Sequence, residues 1–191
     1  FSTILINTSH YNASTDSYIY KLEKPVQLQN AKVSVQSVAI FNSTFNITQA
    51  LNNNVLVIKW LGIDYTINIP DGFYSFEELN RYIQQQCLIN YLYCDLTDSS
   101  DAVFFINISP NSVSYKAQLD FYTIPTAAQA TALGYTKPTG ATWNFPVTPT
   151  TPQLQILEGA KVYFGSKGQT LYPLTPQSTN QTIVPDSTPV V

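Results

Sequence analysis

Side chains able to act as nucleophile, metal ligand or proton carrier are few in this chain. It holds one histidine, His10, and two cysteines, Cys87 and Cys94. A single histidine rules out a two-histidine metal site, and no Cys, His or carboxylate stands near His10 at ligand spacing, so His10 reads as an exposed loop residue. A Cys–His nucleophile pair is formally open. Cys87, however, falls on the apolar face of a helical pattern, where a buried structural thiol is far commoner than an activated one. On one continuous helix, positions 87 and 94 would lie about 10 Å apart along the axis, beyond disulfide reach. Reduced thiols follow; a bridge would need the helix to end near Asn90. Asp95, Asp98 and Asp101 have spacing that could hold calcium or flank a glycosidic bond, but they read as a solvated turn after a helix. Gly165-Ser166-Lys167-Gly168 fits a hairpin turn, and no phosphate-loop or dinucleotide glycine pattern occurs. No catalytic, cofactor-binding or metal-binding residue is therefore assigned, and no enzymatic activity is expected.

The element with the strongest local signals is a helix. Pro70-Asp71-Gly72 supplies turn chemistry, Ser75 can accept from the amide of Glu78, and the Glu78 carboxylate can reach back to the Ser75 amide. Tyr74 and Leu79 are placed to form a hydrophobic staple. Phe76, Leu79, Ile83 and Cys87 follow at helical spacing, which predicts a helix over about residues 76–90 with one face laid on a sheet.

Nearly everything else alternates. Residues 1–6 predict a short strand inside an N-terminal arm of about 1–16, with a polar loop over Asn7–Asp16. Tyr18–Leu22 predicts a second strand, and Ala31–Phe41 a long one with a bulge near Gln36-Ser37. After a loop over 42–54, Val55–Trp60 and Ile63–Ile69 predict a hairpin around Leu61-Gly62. Val103–Ile108 and Val113–Phe121 predict another, around Ser109-Pro110-Asn111-Ser112. Thr126 can cap a short helix through Leu133, stopped by a left-handed Gly134, with loop from Tyr135 onward. The Thr/Pro-rich stretch of about 136–153 reads as extended, anchored by Trp143, Phe145 and Val147. Short strands are expected at 154–157 and 161–164. The tail of about 170–191 is expected to run extended along this subunit or across to a neighbour.

The 191 residues suit one domain, 1–191, with a sizeable core. Apolar residues make up 44% and charged ones 11%, the latter less than half the roughly 25% usual for soluble domains. The exposed surface must then be amide and hydroxyl, which suits packing against other subunits. Nine basic against twelve acidic residues, with no basic run, leave no electrostatic footprint for nucleic acid. No apolar run is long enough to span a membrane, and no signal peptide is visible. The chain contains no methionine, which predicts that it is a fragment of a longer one. Sequons at Asn7, Asn12, Asn42, Asn46, Asn107 and Asn180 are expected by chance in such a composition. The fold class predicted is all-β, a sandwich with one inserted helix.

Ile69-Pro70-Asp71-Gly72-Phe73-Tyr74-Ser75, with Leu79-Asn80 and Tyr82-Ile83-Gln84, resembles the strand-to-helix signature of penton-type single jelly-roll capsid proteins of virophages and polinton-like viruses. Leu133-Gly134-Tyr135 and the Thr-Pro tract after it are similar to elements of the same family, so the resemblance covers roughly residues 30–190. Its motifs describe a turn and a cap, not a reactive site. The resemblance implies a jelly-roll β-sandwich and a virion vertex protein, assembled inside the host cell. It implies a homo-pentamer around each fivefold axis, in contact with trimeric major capsid protein and with other minor capsid proteins. The family pattern also leads one to expect a further closing strand after the Thr-Pro tract, where this chain shows none. A jelly-roll glycan-binding or host-attachment module is the alternative, as is another minor capsid protein; an enzyme ranks behind both.

Overall fold

The computed structural model describes residues 11–12, 14–15, 17–18, 45–99, 101–114, 116–160, 164 and 171–185. The chain divides into two compact units, Phe1–Asn42 and Ser43–Val191. In the first, β1 (Tyr11–Asn12) and β2 (Ser17–Tyr18) form a small antiparallel ladder. Asn12 Oδ1 closes its turn by accepting from the amide and hydroxyl of Ser14, at 3.0 and 2.6 Å. The stretch expected as a polar loop thus contains strand pairing. The predicted strands at 1–6 and 31–41 lie outside the described residues, as does His10.

The second unit is mostly β, with three antiparallel sheets among its described residues. β3 (Val55–Trp60) and β4 (Ile63–Asn68) form the predicted hairpin. Leu61 and Gly62 both take positive φ, 50° and 85°, the twist a two-residue turn needs to match its strands. β10 (Gln153–Ile156) pairs with β3, and β11 (Leu171–Tyr172) with β10, in the order β11-β10-β3-β4. Leu56, Ile58, Trp60, Ile67, Leu154, Ile156 and Tyr172 from these strands are all buried. A second sheet has the order β12-β8-β7, from β7 (Ile106–Pro110), β8 (Ala117–Phe121) and β12 (Gln181–Ile183). Ile106, Ile108, Ala117, Leu119 and Phe121 are its buried residues in the same core. The third, β6-β5-β9, joins β5 (Cys94–Leu96), β6 (Ala102–Val103) and β9 (Tyr135–Thr136).

Among the described residues, helices α1 and α2 interrupt the sheets, and Phe164 is also helical. α1 (Phe76–Ile89) begins where predicted, with Ser75 Oγ accepting from Glu78 N at 3.2 Å and Ser75 N donating to Glu78 Oε2 at 2.8 Å. Leu79, Ile83 and Cys87 are its buried face. Beside the cap, the Tyr74 ring stands edge-on to Tyr82, with ring centres 6.5 Å apart. α2 (Ala127–Ala132) has the same box built from Thr126 and Gln129, and Gly134 follows at φ 69°.

Several expectations need correction. The strand predicted over 103–108 breaks at Phe104-Phe105, and its second part runs on through Pro110, paired with Ala117. Proline is tolerated there because β7 is an edge strand whose missing N–H costs no ladder bond. The turn is instead made by Asn111, whose Oδ1 accepts from Val113 N, Ser114 N and Ser114 Oγ. Val113, predicted in a strand, is exposed. Asp95, expected in a polar turn, and Tyr135, expected in a loop, are strand residues. Of the anchors of the Thr/Pro segment, Trp143 and Phe145 hold, stacked edge-on 5.4 Å apart, while Val147 is exposed. The strand expected at 154–157 is present as β10, and beyond it two more strands, β11 and β12, follow the Thr-Pro tract where the family's closing strand was expected to be missing. The tail does not leave the unit over residues 171–183: β11 and β12 complete two of its sheets. The predicted strand at 161–164 lies outside the described residues except for Phe164, which is helical, not extended, and is buried in the core.

Candidate functional site

The corner between β4 and α1 carries the strongest sequence signals, and it is built from amides. Asn46 imitates a strand partner, its Oδ1 accepting from Tyr74 N at 2.9 Å while its Nδ2 donates to Tyr74 O at 2.8 Å. Ile47 and Gly72 exchange backbone bonds of 3.1 and 2.9 Å. Asp71 Oδ1 accepts from Gln49 N at 2.8 Å, at the start of a 3-10 turn (Gln49–Leu51). Asn53 ties Thr48 N to Asn46 O through its own amide, at 2.7 and 2.8 Å. The 42–54 stretch, read as plain loop, is over its described part a scaffold of side-chain to backbone bonds that fixes where α1 starts.

The same helix controls a sheet edge. Asn80 Oδ1 accepts from the Ile108 amide on β7 at 2.8 Å, and its Nδ2 donates to Asn107 Oδ1 at 3.0 Å. From Asn107 the network continues to Asp120, a buried carboxylate on β8. Asp120 accepts from Thr182 Oγ1 at 2.8 Å, from Gln118 Nε2 at 3.2 and 3.3 Å, and from Asn107 Nδ2 at 3.3 Å. One acid thus joins all three strands of its sheet. Its donors are amides and a hydroxyl, which do not titrate near neutral pH. The cluster holds register; it has no acid–base partner and no nucleophile. Sequence reasoning missed it, the one signal being an aspartate between the apolar Leu119 and Phe121.

Among the described residues, those singled out for chemistry form no catalytic or metal-holding group. Cys87 and Cys94 are both buried and free. Burial pushes each thiol up to about 12, helped at Cys94 by the charge of Asp95. Thiols so disfavoured as thiolates are poor nucleophiles. Asp98 and Asp101 are exposed and Asp95 is half-buried; Asp101 is occupied by its own turn, accepting from Ser99 Oγ at 3.0 Å. Among the described residues no group of three His, Cys, Asp or Glu side chains is placed to hold a metal. Gly165–Gly168 lies outside the described residues. No described helix is long and apolar enough to cross a membrane.

Beside α2 lies an open groove of about 380 Å³, lined by Thr123, Pro125, Gln129, Ala132, Leu133, Pro149 and Ser178. None of these titrates and none is aromatic, so the groove has neither the groups for catalysis nor a ring on which a sugar could stack. No protein-family profile, curated protein or solved structure matches this chain.

Proposed function

We propose that this chain is a structural capsid subunit of penton type, a jelly-roll β-sandwich that assembles into pentameric rings at fivefold vertices and contacts the surrounding major capsid protein. The observation that carries the reading is the 69–84 element. The residues on which the resemblance rests are the ones locked into a rigid corner by Asn46, the Ile47–Gly72 bridge and the Ser75–Glu78 box. A rigid corner of this kind positions surfaces instead of reacting. The shortage of charge supports the same reading, since weakly charged copies can approach closely and share hydrogen-bonded contacts. A head-to-tail contact closing at five follows from the proposed symmetry. The glycan-binding alternative finds no aromatic platform in the groove beside α2. Electron microscopy and mass measurement of intact particles test the proposal: this chain is expected at fivefold vertices alone. Its presence in the hexavalent faces, or as a strict monomer within particles, overturns it.

A further inference from the structure

We infer that Tyr91, Tyr93 and Asp95 form a seat for a guanidinium group, and that in the assembly the seat is filled by Arg81 of a neighbouring copy; the inference rests on the self-assembling reading above. The seat lies on the sheet β6-β5-β9. Cys94 turns into the core, so Tyr93 and Asp95 on either side of it point to the other face of β5, where both are half-buried. Asp95 faces Ala102 on β6 and Thr136 on β9, residues too small to cover it. Tyr93 leans on Phe104, with ring centres 6.3 Å apart. Tyr91 is fixed by its backbone, left-handed at φ 57°, with its carbonyl accepting from the Trp143 indole N–H. Its ring lies along Gly140, where a β-carbon would stand 3.1 Å from Cζ. The Tyr93 hydroxyl is pushed up by burial, then by the charge of Asp95, then by Tyr91, so the three side chains share one patch.

Charge selects the occupant. Among the described residues, no group donates to the Asp95 carboxylate and no cation pairs with it; the ion pair formed there is Lys59 with Asp64. A half-buried carboxylate beside phenol rings calls for a cation. A planar guanidinium can stack on a ring while its N–H fork reaches a carboxylate, which an ammonium cannot do. Arg81 is the chain's one arginine. It lies two residues from each of the buried Leu79 and Ile83, which puts it on the opposite, solvent side of α1. There it is exposed, and among the described residues its side chain makes no ion pair or hydrogen bond; its charge is the least of the influences on Glu78. In a chain with only 11% charged residues, the unpaired acid with its rings and the unpaired guanidinium complement each other between copies. In a ring, each copy gives Arg81 to one neighbour and receives it from the other.

Charge reversal, read by native mass spectrometry, tests the inference. Arg81→Asp and Asp95→Arg should each weaken association at least about tenfold, since each sets like charges face to face. The chain carrying both changes should regain it, because the pair is rebuilt in reverse. Arg81→Lys, which keeps the charge and loses the fork, should fall between wild type and Arg81→Asp. Single variants that associate at the wild-type level, or a folded double variant no better than the singles, overturn the seat while leaving the vertex reading intact. Dimers in place of rings, with the same dependence on both charges, overturn the vertex reading and keep the seat. A wild-type chain that never associates overturns both. Arg81 is exposed, so should an Asp95 variant fail to fold, Arg81→Asp and Arg81→Lys decide.

Discussion

Gly159 sits so close to Asn52 that a β-carbon at position 159 would lie 2.1 Å from the Asn52 carbonyl oxygen and 2.5 Å from its carbonyl carbon. The contact joins a 3-10 turn (Glu158–Ala160), just after β10, to the turn before β3, where Asn52 is itself left-handed at φ 51°. Both partners are backbone, so neither can swing aside. Gly159→Ala should cost about 1–3 kcal/mol, toward the upper end because relief requires moving a turn. Urea melts of the two forms measure it, and a loss under half a kcal/mol would show that the turns part easily.

The α1 cap gives a second test. Ser75→Ala should cost about 0.5–2 kcal/mol, read as a lower denaturation midpoint at unchanged slope.

That cap also predicts a pH dependence. The backbone bond from Ser75, and then its hydroxyl, hold the Glu78 carboxyl below its usual 4.5. A depressed folded value means the stabilisation is present above about 4.5 and fades as pH falls through the folded value. Glu78→Gln, which keeps an acceptor but not the charge, should flatten that acid limb relative to wild type. Parallel acid limbs would remove Glu78 from the account.

The thiols titrate in the opposite direction. Cys87 and Cys94 move from 9.0 in the open chain to about 12 when buried. The folded state is thus favoured fully below pH 9.0 and loses this advantage as pH rises toward 12. A thiol reagent should label both in denaturant without reductant and neither at a comparable rate in the native state. Fast native labelling of Cys87 would mean that α1 lifts from the core.

Asn80→Ala should leave the Ile108 amide without its acceptor and Asn107 without one donor, at a cost of about 1–3 kcal/mol. Exchange at the Ile108 amide should rise with it. A variant with wild-type stability and exchange would show that water replaces the side chain.

What could be read from the chain was what is local. The Ser75–Glu78 and Thr126–Gln129 boxes each close within three residues, and the β3–β4 turn within two, so neighbouring residue types state them directly. The pairings of β9 with β5, β10 with β3 and β12 with β8 join segments far apart in sequence, and their side chains carry no address. Pro110 misled for a physical reason: it forbids a central strand but not an edge. The Asp120 cluster was invisible because Asn107 and Thr182 become its neighbours only after three strands are in register.

Those distant pairings also set a timetable. β3 leaves the ribosome early and pairs at once with β4, yet its second partner strand begins at Gln153, and β8 waits for Gln181. Until the last third of the unit has been made, one of its sheets lacks two strands and another lacks one, and the hydrophobic row of Leu56, Ile58 and Trp60 has a neighbouring strand on one side only. Loop closure over such separations makes folding slow compared with helical proteins of the same size. The nascent chain therefore passes through a stage in which its sheet edges are exposed before they are finished. A chaperone, or a low local concentration of copies, would have to carry it past the point where premature strand exchange competes with completing its own fold.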